Sequence, residues 1–232
     1  MNINPADLRL VSVFKDATDE DLDLFAENSI LRTIEDGEFF FFQGDPAIYF
    51  YILVSGRAKL LQSNPTGQQV NLRTINEWQM FGALGAVRQY ATYPATAQAL
   101  EPSSALAIKS VFLHDALQTR PYLNFSLMQL MTGYIMEMQE RYRELATERV
   151  EQRIALTVLR LASQIGVRAA NEETMIELPL SRQDLAEASG TTVFTVSRVL
   201  ADWERRGLVE AGRERVLIRN PHGLVQISEG LD

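Results

Sequence analysis

The chain has no cysteine among its 232 residues. That excludes disulfides, thiolate zinc sites, iron–sulfur clusters and thiol redox switches. Histidine is nearly as scarce, with only His114 and His222, far apart in sequence. A multi-histidine metal site or a Ser-His-Asp triad therefore has almost nothing to draw on, and no metal site is expected. No apolar run approaches the ~20 residues needed to span a bilayer. The stretch from Met1 to Asp7 lacks a basic segment followed by an apolar one, so it does not read as a signal peptide. A cytoplasmic protein without a membrane partner is expected. No paired carboxylate, nucleophile–base pair or phosphate loop stands out, which leaves an enzyme the least supported class.

What is present is a chain with 46% hydrophobic residues, enough for a real core and too many for disorder. Its length suggests one or two domains. The net charge of −8 argues against indiscriminate DNA binding. It does not argue against specific binding, because residues 151–232 carry ten arginines and no lysine, and what counts is where those arginines point.

Thr18-Asp-Glu-Asp21 is a capping-box-like start, with Asp in place of Glu, and predicts a short helix over 19–27. Short β-type runs come next at 38–42, 49–54, 57–61, 70–75, 95–100 and 105–108, with glycines at 37, 44, 56, 67 and 82 between or beside them. Many short strands at this spacing predict an antiparallel barrel or sandwich. From residue 110 the pattern turns helical. Ser110 is placed to cap a helix that stops before Pro121, a longer helix runs over 121–148, and another spans about 149–166. On the long helix Leu127, Met131, Tyr134, Met138 and Leu145 trace an a/d seam at period 3.5, with Arg141 at a skipped position. Glu137, Glu140, Arg143, Glu144 and Glu148 lie on the opposite side. The seam serves either a dimer or a monomer's internal packing. Its neighbours Met128 and Met136 read as adaptable filler.

Residues 181–208 read as two helices around a Ser189-Gly190-Thr191 turn, the spacing of a helix-turn-helix whose second helix enters a DNA major groove. On that second helix, about 192–206, Val196, Leu200 and Trp203 share one face, with Val199 beside them. Phe194, Arg198, Ala201 and Arg205 share the other, with Ser197 alongside. Arg198 can bond guanine O6 and N7, and Phe194 can touch a thymine methyl. Thr192 caps the helix and leaves its N-terminal amides for a phosphate. Arg182, Arg213 and Arg215 are phosphate candidates, the last two in a wing hairpin over 211–216.

The order of barrel, long helix, helix-turn-helix and hairpin resembles the CRP/FNR family of bacterial transcription regulators. In the first part the likeness rests on Gly37, Gln43-Gly-Asp45, Tyr51-Ile-Leu-Val-Ser-Gly-Arg57, Phe81-Gly82 and Ala95-Thr96. In the second it rests on Val150-Glu-Gln-Arg153 and the Leu180–Leu208 block. The resemblance implies an α+β chain: an antiparallel, jelly-roll-like β-roll sensor over 1–120, a dimerisation helix over 121–148 and a winged helix-turn-helix over 149–232. It also implies a homodimer on a palindromic double-stranded DNA site, RNA polymerase as a partner, and Val193, Phe194, Ser197 and Arg198 at the base-reading positions.

The departures concern the effector. Cyclic-nucleotide-binding members of the family have Gly-Glu-Leu in the phosphate cassette, where the Glu takes the ribose hydroxyl, and an Arg ten residues later that takes the phosphate. Here the cassette is Gly82-Ala83-Leu84, and Tyr93 stands ten past Ala83. Neither residue can play those roles. The effector pocket is expected from Gly82, Ala83, Leu84, Tyr93 and Thr96, with Tyr93 itself as one possible occupant. The 93–100 stretch is similar to the branch with nitric-oxide and haem-dependent regulators. A haem held by His114 or a methionine stays open, as does a phosphate site rebuilt around Arg88. A ligand- or partner-binding protein of this fold that no longer binds DNA is the alternative from another class.

Overall fold

A computed structural model describes residues 4–64, 69–88, 90–168, 175–212 and 214–231. The chain divides into two compact units, Met1–Glu137 and Met138–Asp232.

In the first unit, helix α1 (Asp19–Glu27) starts at Thr18, whose hydroxyl accepts from the Asp21 amide at 3.2 Å. Eight strands come after it: β1 (Ser29–Ile34), β2 (Phe39–Phe41), β3 (Tyr49–Ser55), β4 (Ala58–Ser63), β5 (Gln69–Ile75), β6 (Met80–Phe81), β7 (Thr96–Ala99) and β8 (Ser103–Lys109). A single turn of helix, α2 (Leu84–Val87), separates β6 from β7. The strands form two antiparallel four-stranded sheets, ordered β1-β8-β3-β6 and β2-β7-β4-β5. This is the expected roll.

β3 is buried on both faces, which is why it reads as one unbroken apolar run. Its period of two sends Phe50 and Ile52 into one core and Tyr51 and Leu53 into another. β8 divides in the same way. Leu106 and Ile108 join the first core, packed with Phe14, Phe25 and Leu113, whereas Ala105 and Ala107 join the second. That second core holds Phe40, Phe41, Tyr51, Phe81 and Tyr93, with alanines at 47, 58, 97, 99, 105 and 107. Small residues on the strands make room for the rings.

Helix α3 (Ser110–Thr119) departs from expectation at its start. Lys109 is the N-cap, and the Ser110 hydroxyl instead donates to the Ala47 carbonyl at 2.8 Å. Asp21, on α1, accepts from Arg120 Nε and, at 2.9 Å, from the Tyr122 hydroxyl, which ties α1 to the start of the next helix. Burial alone would raise the Asp21 pKa, but the hydrogen bonds from Arg120, Tyr122 and Thr18 outweigh it and hold the carboxyl below its ordinary value.

Helix α4 (Pro121–Thr147) carries the boundary between the two compact units within its length. Its C-terminal part is joined to the next helix, α5 (Val150–Ile165), by an ion pair. Glu144, 7% exposed, receives Arg160 Nη1 from α5 at 3.1 Å. Glu144 is thus a buried partner and not one of a solvated row of acids.

The second unit contains β9 (Val167–Arg168), β10 (Ile176–Leu178), α6 (Arg182–Ser189), α7 (Val193–Arg205), β11 (Val209–Ala211), β12 (Val216–Ile218) and α8 (Pro221–Ser228). Its strands form one antiparallel sheet, β11-β12-β10-β9. Its core gathers Ile154, Val158, Leu185, Val196, Leu200, Trp203 and Leu224. Among the described residues no helix is long and apolar enough to cross a membrane.

Candidate nucleic-acid interface and effector cassette

α6 begins with a reciprocal cap. The Asp184 amide donates to Ser181 Oγ at 3.1 Å, and the Ser181 amide donates to Asp184 Oδ2 at 3.0 Å. It ends at Gly190, whose φ of 64° is the left-handed turn that glycine tolerates. Leu145 lies 3.0 Å from where a Cβ at Gly190 would stand. Thr192 then caps α7, with its Oγ1 accepting from the Thr195 amide at 3.2 Å.

α7 turns Val196, Leu200 and Trp203 into the core, all at 1% exposure or less. The Trp203 indole N–H donates to Glu151 Oε1 at 2.8 Å, which fastens α7 to α5. Arg206 Nη1 reaches the same oxygen at 3.4 Å. Sequence reading misses Glu151, whose only signal is that of an acid in the first turn of a helix. With that face committed, Val193, Phe194 and Arg198 lie exposed, and Ser197 is half-buried beside them. Phe194 is 78% exposed. An aromatic ring so placed gains nothing from folding, because it stays in water.

The other arginines differ. Arg182 is half-buried at the start of α6. Arg215 is exposed and lies 3.8 Å from Glu177 Oε1. Arg213 lies outside the described residues. Arg205 is engaged with Asp202 at 2.6 Å on its own helix.

On α4 the expected seam splits in two. Leu127 packs against the roll's helix-side core. Tyr134 lies under Arg73, the guanidinium 3.8 Å from the ring centroid, with its hydroxyl buried. Both face the chain's own roll. Met131, Met138 and Leu145 are exposed, and they are joined by Met128, Ile135 and Tyr142. The resulting series 128, 131, 135, 138, 142, 145 steps by 3, 4, 3, 4 and 3, an unbroken a/d pattern. The seam expected from periodicity mixes two apolar stripes: 127 and 134 belong to the one against the roll, and 131, 138 and 145 to the exposed one.

The five residues expected at the effector pocket have different surroundings in the roll. Ala83 packs against the helix-side core, and Leu84 is exposed on α2. The Thr96 hydroxyl already accepts from the Gln43 amide at 2.9 Å. Gly82 and Tyr93 meet beside Phe41. A Cβ at Gly82 would come within 3.1 Å of the Phe41 ring and 3.2 Å of the Tyr93 ring. His114 is half-buried on α3 and His222 is exposed on α8. Among the described residues no three of His, Asp or Glu group as a metal site would require.

A β-roll followed by a helix-turn-helix that bares its second helix defines a sensor-plus-DNA-reader class of protein. Comparison with known proteins agrees. Residues 31–120 match the cyclic nucleotide-binding domain and residues 152–227 the Crp-like helix-turn-helix domain. The chain is 30% identical to the global nitrogen regulator of Synechococcus elongatus, over 84% of this chain and 88% of that one. It is 29% identical to the transcriptional activator protein anr of Pseudomonas aeruginosa, over 86% of this chain and 80% of that one. Solved structures share the fold. FixK2 from Bradyrhizobium japonicum has a TM-score of 0.73 at 21% identity, covering 86% of this chain and 96% of that one. The c-di-GMP responsive global regulator CLP of Xanthomonas campestris has a TM-score of 0.77 at 20% identity, covering 87% and 99%. The chain belongs to the CRP/FNR family of transcription regulators.

Proposed function

We propose that this chain is a cytoplasmic, homodimeric regulator that reads a palindromic double-stranded DNA site with α7, acts with RNA polymerase, and answers a signal other than cyclic AMP. It works by population shift and not by chemistry. The observation that carries the reading is the division of α7: Val196, Leu200 and Trp203 are buried, while Val193, Phe194 and Arg198 are left outward. The capped N-terminus of α7 adds backbone donors for a phosphate.

The exposed a/d series on α4 supports the dimer. Six apolar residues in register on one helix are a poor solvent face and a good seam. A two-fold dimer gives two reading helices, which must match half-sites about one DNA turn apart. Ala83 and Tyr93 in the cassette support a signal other than cyclic AMP.

The test is selection of a binding site from random duplexes, followed by titration of the full chain. Two chains per palindromic site are expected. Arg198→Ala is expected to lose about 1–3 kcal/mol of specific affinity and to relax preference at one base position. A selected site bound equally well by Arg198→Ala overturns the assignment of that residue. Failure to select any site favours the lapsed-regulator alternative.

A further inference from the structure

Tyr93 holds a position in the roll that solvent barely reaches and no second unit is needed to explain. Its ring is 3% exposed and lies face to face on Phe41, with centroids 3.8 Å apart and planes 14° from parallel. Its hydroxyl is used in both directions by one backbone residue. It donates to the Tyr49 carbonyl at 2.6 Å and accepts from the Tyr49 amide at 3.3 Å. Glycine at 82 suits the two rings, since a Cβ there would crowd both at 3.1 and 3.2 Å, and its φ of +73° is a second reason for glycine there. Tyr51 and Phe81, paired across β3 and β6, continue the aromatic packing with centroids 5.3 Å apart. Burial raises the Tyr93 pKa, so the phenol stays neutral.

We infer that Tyr93 is the built-in occupant of the cassette and the residue that sets its specificity: a neutral ring fills the ground beside Gly82, and the roll thereby refuses cyclic nucleotides. Two physical terms act together. Entry of a nucleotide would have to expel a ring packed at van der Waals distance and strand the Tyr49 amide and carbonyl, which are costly to leave unpaired in an interior. The cassette's own two polar positions also offer the entering phosphodiester no charge, because Ala83 and Tyr93 stand there; Arg88, at the end of α2, lies exposed, and Arg32, whose charge reaches Tyr93, is held over the Tyr49 ring at 5.1 Å. An anion buried without a partner is strongly disfavoured. This deepens the signal part of the proposed function and is independent of whether the chain binds DNA.

The test uses the full chain without DNA. In titration calorimetry the parent protein is expected to give no binding heat with cyclic AMP or cyclic GMP at millimolar concentration. Tyr93→Ala is expected to melt several degrees lower than the parent. p-Cresol, the tyrosine side chain as a free molecule, should restore part of that loss in Tyr93→Ala and leave the parent unmoved, because an opened apolar cavity accepts a small flat ring. Tyr93→Phe keeps the ring and folds on that account. It should melt between the other two, ignore p-cresol and remain blind to both nucleotides. Micromolar binding of either nucleotide by the parent or by Tyr93→Phe overturns the inference. So does a Tyr93→Ala protein that melts like the parent and does not respond to p-cresol. Absence of DNA binding in the same protein would sink the proposed function and leave these outcomes untouched.

Discussion

The two units place their conspicuous aromatic residues in opposite ways. In the roll, Tyr93 is sealed against Phe41 and bonded to backbone at its polar end. In the second unit, Trp203 is sealed in the same manner, its indole bonded to Glu151, but nine residues before it on the same helix Phe194 stands in water. An aromatic side chain buries 150–250 Å² when packed. Phe194, 78% exposed, packs little of that area within its own unit and keeps it for a surface outside the fold. The roll turns Phe40, Phe41, Tyr51, Phe81 and Tyr93 toward its own interior, and α7 keeps Phe194 turned outward.

That contrast can be broken most severely at Trp203. Trp203→Ala removes a fully buried indole and leaves Glu151 Oε1 with the longer contact from Arg206, and should cost about 3–5 kcal/mol of stability in denaturant unfolding. A loss below about 1 kcal/mol would mean that the second unit's core does not depend on this ring.

The next largest effect belongs to the first unit. Asp21→Asn weakens two bonds to the carboxylate and should cost about 1.5–3 kcal/mol. The pH dependence has a definite sign. The folded carboxyl titrates below its ordinary value of 3.8, so its contribution is fully present above that value and is lost as pH falls through the folded pKa. Melting temperatures of parent and Asp21→Asn should therefore converge in acid and separate near neutrality. Curves that stay parallel across the acid range would remove the ion pair as the cause.

Phe194→Ala should show the smallest change in stability, within about 0.5 kcal/mol, because the ring is already solvated. Its effect should fall on DNA affinity, measured on the selected site, and should be weaker than that of Arg198→Ala. A clear drop in melting temperature would mean that the ring packs against protein after all.

Much of this architecture is legible in sequence. Val196, Leu200 and Trp203 at spacings of 4 and 3, behind a capping Thr192, read as one buried helical face, and that face is buried. The strand runs of the roll are legible where β3 and β8 are buried on both sides. β1 is not, because four of its six residues are exposed and its side chains neither alternate nor cluster. The seam on α4 is half legible for a physical reason. A helix that packs on its own roll with Leu127 and Tyr134, and shows Met128, Ile135 and Tyr142 on the other side, is apolar twice over. Period alone cannot say which stripe faces which partner. The skipped position at Arg141 is the available clue, since the register through Tyr142 has no gap. Polar partners such as Glu151 for Trp203 or Glu144 for Arg160 are set by which helices meet, and neighbours along the chain do not reveal that.

The position of the boundary inside α4 bears on how the molecule can be taken apart. A fragment that begins at Arg149, where the long helix has ended, discards Glu144 and leaves the Arg160 guanidinium without the carboxylate that neutralises it. It also strips Leu145 from the side of Gly190, at the turn between α6 and α7. A fragment that begins at Met138 keeps both. The last turns of the long helix are in this sense a piece of the DNA reader's wall, carried on a rod that also presents the seam, and any cut meant to free the reader has to leave that piece attached.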